Sequence, residues 1–413
     1  MKSVSSIISL PVLIFATIFI RLIAFYFFGD QQLENEWLII VHNLFEKGVL
    51  GINVVINEYY AMPKLAEADD LVLPTVFMPP LYSYYISLFR YFFSDFVNYI
   101  NLIIFSQILL STFSVYFFFK ILSFENSQKI AFFFTCIFSL IPINIYSCVQ
   151  ISSISVQVFL LTYLLYILKK ITINNYENKK IISFTVVCSL LILLRGEFIL
   201  FYIFTLIYFF LFDKKNIKYI FISIILTSIL ISPYLIRNYI NFDSFVITKS
   251  FGYNLLKGNN PEFRVEGNFE FIEKVHNRKD LKIKTEKNYE IVLDNYYKEK
   301  ALEYISENPL KFIFNYVEKV FAFLFLDLNS SYKNYYNIFH IIPKLLLSIS
   351  SIIGCIIMFK KKGFMQYISC YFIFNILLFS IFFILPRYNL ILLPVQVLFT
   401  VELYKYALRK FIN

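Results

Sequence analysis

Long apolar runs separated by short charged turns organise this chain. A helical bilayer crossing needs about 20 apolar residues. Residues 7–28 supply the first run, and 99–120, 130–148, 151–169, 181–194, 197–212, 217–236, 338–359, 364–384 and 388–407 follow it. Residues 310–326 are apolar too, but Lys311, Glu318 and Lys319 interrupt them. That run is expected to lie at the membrane surface. The pattern therefore predicts an all-α polytopic membrane protein with about ten transmembrane helices.

Two stretches break the alternation. In the first, residues 29–98, Trp37, Ile40, Val41, Leu44 and Phe45 recur at helical spacing between Glu36 and Lys47. They predict a helix lying in the interface, with Trp37 at headgroup level and Gly48 and Gly51 ending it. A polar run from Asn53 to Asp70 follows, then Met78-Pro79-Pro80-Leu81-Tyr82. The aromatic segment 81–93 is short for a crossing and reads as a second interfacial or re-entrant helix that the prolines start. The second stretch, residues 240–309, is polar and of mixed charge, with a helix expected from Tyr289 to Ser306. The chain thus divides into an N-terminal transmembrane module (1–239, including loop 29–98), an external loop or lid (240–337) and C-terminal transmembrane helices (338–413).

Composition agrees. Of 413 residues, 59% are hydrophobic and 16% charged, and the mean hydropathy is +0.66. Soluble domains carry about a quarter charged residues. The net charge is +10, and most basic residues outside the large loop fall in short turns between apolar runs, such as those near residues 125, 175 and 215, which is the positive-inside pattern and not a nucleic-acid footprint. Those turns are then cytoplasmic. The 29–98 loop, the turn at Gln150, Arg195-Gly196-Glu197 and the chain after Arg237 are external. With 310–326 kept at the outer surface, Lys360-Lys361-Lys362, Lys405, Arg409 and Lys410 are cytoplasmic, and both termini are inside. The first run lacks a small-residue cleavage site and reads as a retained helix.

Candidate chemistry gathers on one side. Asp30, Glu34, Glu36, Arg195, Glu197, Arg237 and Arg387 are all expected at helix ends on the outer surface. Guanidinium forks suit a phosphate, and carboxylates suit deprotonation of an attacking hydroxyl. The combination points to a membrane enzyme with a lipid-phosphate substrate. Arg21, inside the first run, reads either as functional or as snorkelling to the interface. His42, His276 and His340 are scattered and suggest no triad or metal site. Cys136, Cys148, Cys188, Cys355 and Cys370 lie in apolar runs as small buried hydrophobes. No Gly-rich phosphate loop supports a soluble nucleotide-sugar donor. A transporter would show internal repeats and mid-membrane charges, and neither is found.

Four stretches carry a family resemblance: ENEWLIIVHNLFEKG; MPPLYSYYI; LLRGEFILF; and SPYLIRNYINFDSFVITKSFGYNLLKGNNP, which is followed by ALEYISENPLKFI and LPRYNLILLP. Over roughly residues 1–400 the chain resembles bacterial C-type (GT-C fold) glycosyltransferases, the group containing protein O-mannosyltransferases and the aminoarabinose transferase of lipid A. The resemblance implies an inverting transferase at the outer face of the cytoplasmic membrane. A polyprenyl-phosphate-linked sugar would be the donor, and a lipid, glycan or protein the acceptor. It implies an acidic base in the first loop. By position before Trp37, Glu34 or Glu36 matches, with Asp30 as the other candidate, although the family's usual Asp followed by Tyr is here Glu followed by Trp37. Arg195, Arg237 and Arg387 match outward-facing arginines at the donor phosphate. Tyr82, Tyr253, Asn259 and Asn260 fall in the substrate and lid stretches. No metal or cofactor is implied. An O-antigen polymerase or ligase, or a polytopic transporter, is the alternative class.

Overall fold

The computed structural model describes residues 4–33, 35–54, 71–93, 98–174, 177–212, 217–276, 288–327, 329–332 and 337–412. Helix α1 (Val4–Phe28) leads into the first loop, which holds α2 (Asn35–Lys47), strands β1 (Gly51–Val54) and β2 (Leu71–Pro74), and α3 (Pro80–Phe93). A helical bundle follows: α4 (Tyr99–Ser123), α5 (Gln128–Leu140), α6 (Pro142–Ser147), α7 (Ile154–Asn174), α8 (Asn178–Leu194), α9 (Phe198–Phe212) and α10 (Ile217–Phe242). The second loop carries α11 (Phe251–Gly258), α12 (Phe269–His276), α13 (Tyr289–Glu307) and α14 (Pro309–Leu324). Helices α15 (Ile338–Met358), α16 (Phe364–Phe379) and α17 (Leu393–Ile412) close the chain, and a 3-10 segment, Pro386–Ile391, precedes α17.

Among the described residues, five helices are long and apolar enough to cross a membrane: α1 over Leu10–Phe28, α4, α7 over Ile154–Ile173, α10 and α15. The apolar helices α5, α9 and α16 are shorter, at 13, 15 and 16 residues. At 1.5 Å per residue they reach about 20–24 Å, less than a hydrocarbon core of about 30 Å. Length and composition thus mark an all-α membrane protein.

Prolines decide where two of the expected runs break. The residue before proline is pushed out of the helical region, and proline itself suits the first helical turn. Residues 130–148 accordingly split at Ile141, which is extended, and Pro142 opens α6. Residues 388–407 do not form one helix either. Leu385 is extended, Pro386 opens the 3-10 segment, and α17 begins only at Leu393. The first loop also holds an element the sequence pattern did not predict, an antiparallel ribbon pairing Gly51 with Pro74 and Val54 with Leu71.

Exposed apolar side chains such as Phe15, Ile225, Ile229 and Ile356 mark the lipid-facing stripes of α1, α10 and α15. Close packing on the inner sides follows the rule for membrane helices, where small residues let backbones approach. A Cβ on Gly354 of α15 would lie 2.3 Å from the Phe399 carbonyl oxygen of α17. Arg21 does not snorkel. It is fully buried, with Nε donating to Ser111 Oγ at 2.9 Å and the terminal amino groups near Ser139 and the Thr17 carbonyl, so it joins α1 to α4 and α5.

At one end of the bundle, turns and helix ends meet through charges. Lys169 of α7 binds Glu125, and both Lys361 and Lys405 reach Glu402 of α17. The opposite end carries the two large loops and the main cavity.

Candidate functional site

A cleft of about 490 Å³ opens among the helix ends that face the two loops. Its walls come from five segments distant in sequence: Asp30, Gln32 and Trp37 at the junction of α1 and α2, Phe77–Pro79 before α3, Ile151–Ile154 at the start of α7, Leu194–Glu197 at the turn from α8 to α9, and Leu385, Arg387 and Tyr388 around the 3-10 segment. The second loop adds Thr248, Ser250, Tyr253, Asn254 and Lys257.

Asp30 is fixed from two sides. Its Oδ2 accepts the Ile151 N–H at 2.7 Å, and its own N–H donates to the Val149 carbonyl at 3.2 Å. The turn between α6 and α7 therefore orients a carboxylate at the end of α1. A polar relay packs beside it. Tyr82 is buried and donates to Gln107 Oε1 at 2.8 Å, and Gln107 Nε2 donates to the Gln150 carbonyl at 2.9 Å. Trp37 lies edge-on to Tyr82, with ring centroids 4.8 Å apart.

Across the cleft, Arg195 ends α8 in an extended conformation. Its Nε donates to Glu197 Oε1 at 2.6 Å, and its guanidinium carbon lies 5.6 Å from the Tyr388 ring centroid. Gly196 permits the turn to pack tightly, since a Cβ there would lie 2.4 Å from Thr248 Cγ2. Arg387 extends, exposed, from the 3-10 segment. Lys257 in the last turn of α11 lies 4.5 Å from the Phe383 ring centroid.

The second loop is built on carboxylates that hold backbone. Asp294 Oδ1 accepts the N–H groups of Gly252 and Tyr253 at 2.7 and 3.1 Å, at the start of α11. A helix start is where N–H groups are left over and a negative charge is favoured. A Cβ on Gly252 would lie 1.9 Å from the Asp294 carbonyl oxygen, so only glycine lets α11 approach α13 this closely. Tyr253 then stands edge-on to Phe77. Glu290 is buried and accepts from Thr75 Oγ1 and from the Val76 N–H, each at 2.6 Å. Burial pushes its carboxyl up to about 7, against the opposing pull of Thr75, Val76 and Arg237.

The cleft brings together five of the eleven residues singled out from sequence: Asp30, Arg195, Glu197, Arg387 and Tyr253. Arg237 is not among its lining residues. Its amino groups donate to the carbonyls of Thr75 at 2.8 Å and Leu50 at 2.7 Å, so it clasps the β-ribbon to α10. Tyr82 lies beneath Trp37 and outside the lining. Asn259 and Asn260 are buried structural groups at the end of α11. Asn259 accepts from Lys319 Nζ at 2.8 Å and donates to the Ile381 carbonyl, and Asn260 donates to the Leu256 and Lys257 carbonyls. Glu34 lies outside the described residues, and so does the side chain of Glu36.

Sequence reasoning did not assign roles to Lys257, Tyr388 or Glu290. Lys257 was within reach of it, because four residues separate it from Tyr253 and that spacing puts both on one helix face. Glu290 left no such signal, since its partners lie 215 and 214 positions away. Among the described residues no group of three His, Cys, Asp or Glu is placed to hold a metal ion. No protein-family model matches this chain, and a search of curated proteins finds no match either.

Proposed function

We propose that this chain is a membrane glycosyltransferase with a polyprenyl-phosphate-linked sugar donor and a lipid, glycan or protein acceptor, working in the cleft at the outer face. One observation carries the reading: a fixed carboxylate, Asp30, just after the membrane-length helix α1, and three cations, Arg195, Lys257 and Arg387, line one cavity. An electrophile joined to a phosphate needs a base on one side and positive charge on the other. The GT-C architecture and a ten-helix crossing belong to the same proposal.

In the proposed step, an acceptor hydroxyl attacks the anomeric carbon from the face opposite the phosphate. Its oxygen forms the new glycosidic bond as its proton passes to the carboxylate. The bond from the anomeric carbon to the phosphate oxygen breaks, and the phosphate keeps the electron pair. The arginines stabilise the charge that grows on that oxygen. Asp30 is the base favoured by the described geometry. Glu34 and Glu36 remain its rivals by sequence position. Glu197 keeps Arg195 extended toward the cleft wall.

The test uses purified protein in nanodiscs with a panel of polyprenyl-phosphate sugars and mixed acceptors, reading release of free polyprenyl phosphate. Release with one donor supports the reaction class. Donor-independent flux of a solute into sealed vesicles, with no release from any donor–acceptor pair, would replace this reading with transport.

A further inference from the structure

The 3-10 segment Pro386–Ile391 is a wall with two sides. Leu385, Arg387 and Tyr388 line the cleft, whereas Pro386, Asn389 and Leu390 line a separate groove behind it. That groove has a cavity volume of about 50 Å³ and runs between α6, α15 and α17. Pro142, Leu347 and Leu393 make it apolar, and His340 and Lys344 stand one helical turn apart on the face of α15 that borders it.

Lys344 is the odd member. An ammonium has three donors, and on an apolar, span-length helix it is costly unless an anion meets it. Within the protein its Nζ donates to the Ala322 carbonyl at 3.5 Å, a long contact. Asp327 also acts on it electrostatically, and an ammonium's three donors leave room for a further anion. The neighbouring stripe of α15 (Phe339, Ile342, Leu346) is exposed and apolar, so acyl chains are the natural solvent beside the groove.

We propose that this groove holds one anionic phospholipid, with its phosphate on Lys344 beside His340 and the head-proximal part of one acyl chain between α15 and α17. The complement is one of charge and of surface: a half-buried cation at the head of an apolar channel, next to a lipid-facing helix stripe. Such a lipid would brace the wall that carries Arg387 from behind. The inference does not depend on glycosyl transfer.

The experiment takes the full chain in a neutral detergent with phosphatidylglycerol bearing a photoreactive group in one tail. Diacylglycerol with the same tails is the uncharged comparison, and labelled positions are read by mass spectrometry. Cross-links are expected within Ile141–Ile143 or Leu390–Leu393, about fivefold stronger for phosphatidylglycerol. Lys344→Ala should remove that preference and Lys344→Arg keep it. Leu393→Trp, which fills the groove and leaves the ammonium, should also abolish labelling there, and it decides the matter if Lys344→Ala does not fold. Equal labelling by diacylglycerol, undiminished labelling in Leu393→Trp, or cross-links confined to Phe339, Ile342 and Leu346 would overturn the proposal. The labelling needs no sugar donor, so its failure is separate from any failure of the transferase reading.

Discussion

Thr75 and Glu290 hold one another at 2.6 Å across 215 positions of sequence. The bond ties the end of the β-ribbon in the first loop to α13 in the second. The Thr75 carbonyl takes Arg237 from α10 at 2.8 Å, and the Tyr289 hydroxyl donates to the Pro74 carbonyl at 2.7 Å. Two loops and a membrane-length helix thus converge on two residues, Pro74 and Thr75. Next to them, Thr248 donates to the Phe77 carbonyl at 2.8 Å and extends the seam to the cleft.

This seam carries a pH dependence. Burial raises the Glu290 carboxyl to about 7 from its ordinary 4.5. A raised folded-state value means the folded protein binds more protons between those two pH values. The associated stability is fully present below about pH 4.5 and is lost as pH rises through about 7, by about 3 kcal/mol. We predict that thermal unfolding of the wild type in detergent weakens from pH 5 to pH 8 more than that of Glu290→Gln. Parallel pH profiles would show that Glu290 does not titrate in this window.

Arg237 tests positioning against phosphate contact. A lysine cannot bridge the Leu50 and Thr75 carbonyls with a planar fork. Arg237→Lys is expected to lose about 1–3 kcal/mol and to speed hydrogen exchange at the Thr75 amide, which pairs with the Leu50 carbonyl. Unchanged exchange with lost donor binding would return Arg237 to the phosphate.

Asp30→Asn should separate chemistry from fold. Asparagine still offers an oxygen to the Ile151 N–H but cannot accept the proton, so turnover should fall about 10²–10⁴-fold while the unfolding temperature holds. The same measurement on Glu34→Gln and Glu36→Gln identifies the base. A full rate in Asp30→Asn, with loss in either of the others, moves the role to that residue.

Arg387 offers the cleaner test of the phosphate grip, because Arg195→Ala would also strand Glu197. Arg387→Ala is expected to cost about 10²–10³ in turnover, with secondary structure by circular dichroism unchanged. A change confined to acceptor KM would instead assign Arg387 to the acceptor.

The apolar periodicity was enough to read an all-α membrane chain, the helix that ends at Lys47 and the helix that starts at Pro80. Each of these depends on neighbours within a few residues. Sequence also picked Asp30, Arg195 and Arg387, because charges at the ends of apolar runs are conspicuous. It could not separate Arg237 from them. All of these arginines follow an apolar run, and only the fold sets the Leu50 and Thr75 carbonyls against one and open space against another. The β-ribbon, the Glu290 seam and the two-sided wall at Pro386–Ile391 were invisible for the same reason. They are made by groups far apart in the chain, and a linear pattern carries the cost of burying such groups but not the identity of the partner that offsets it.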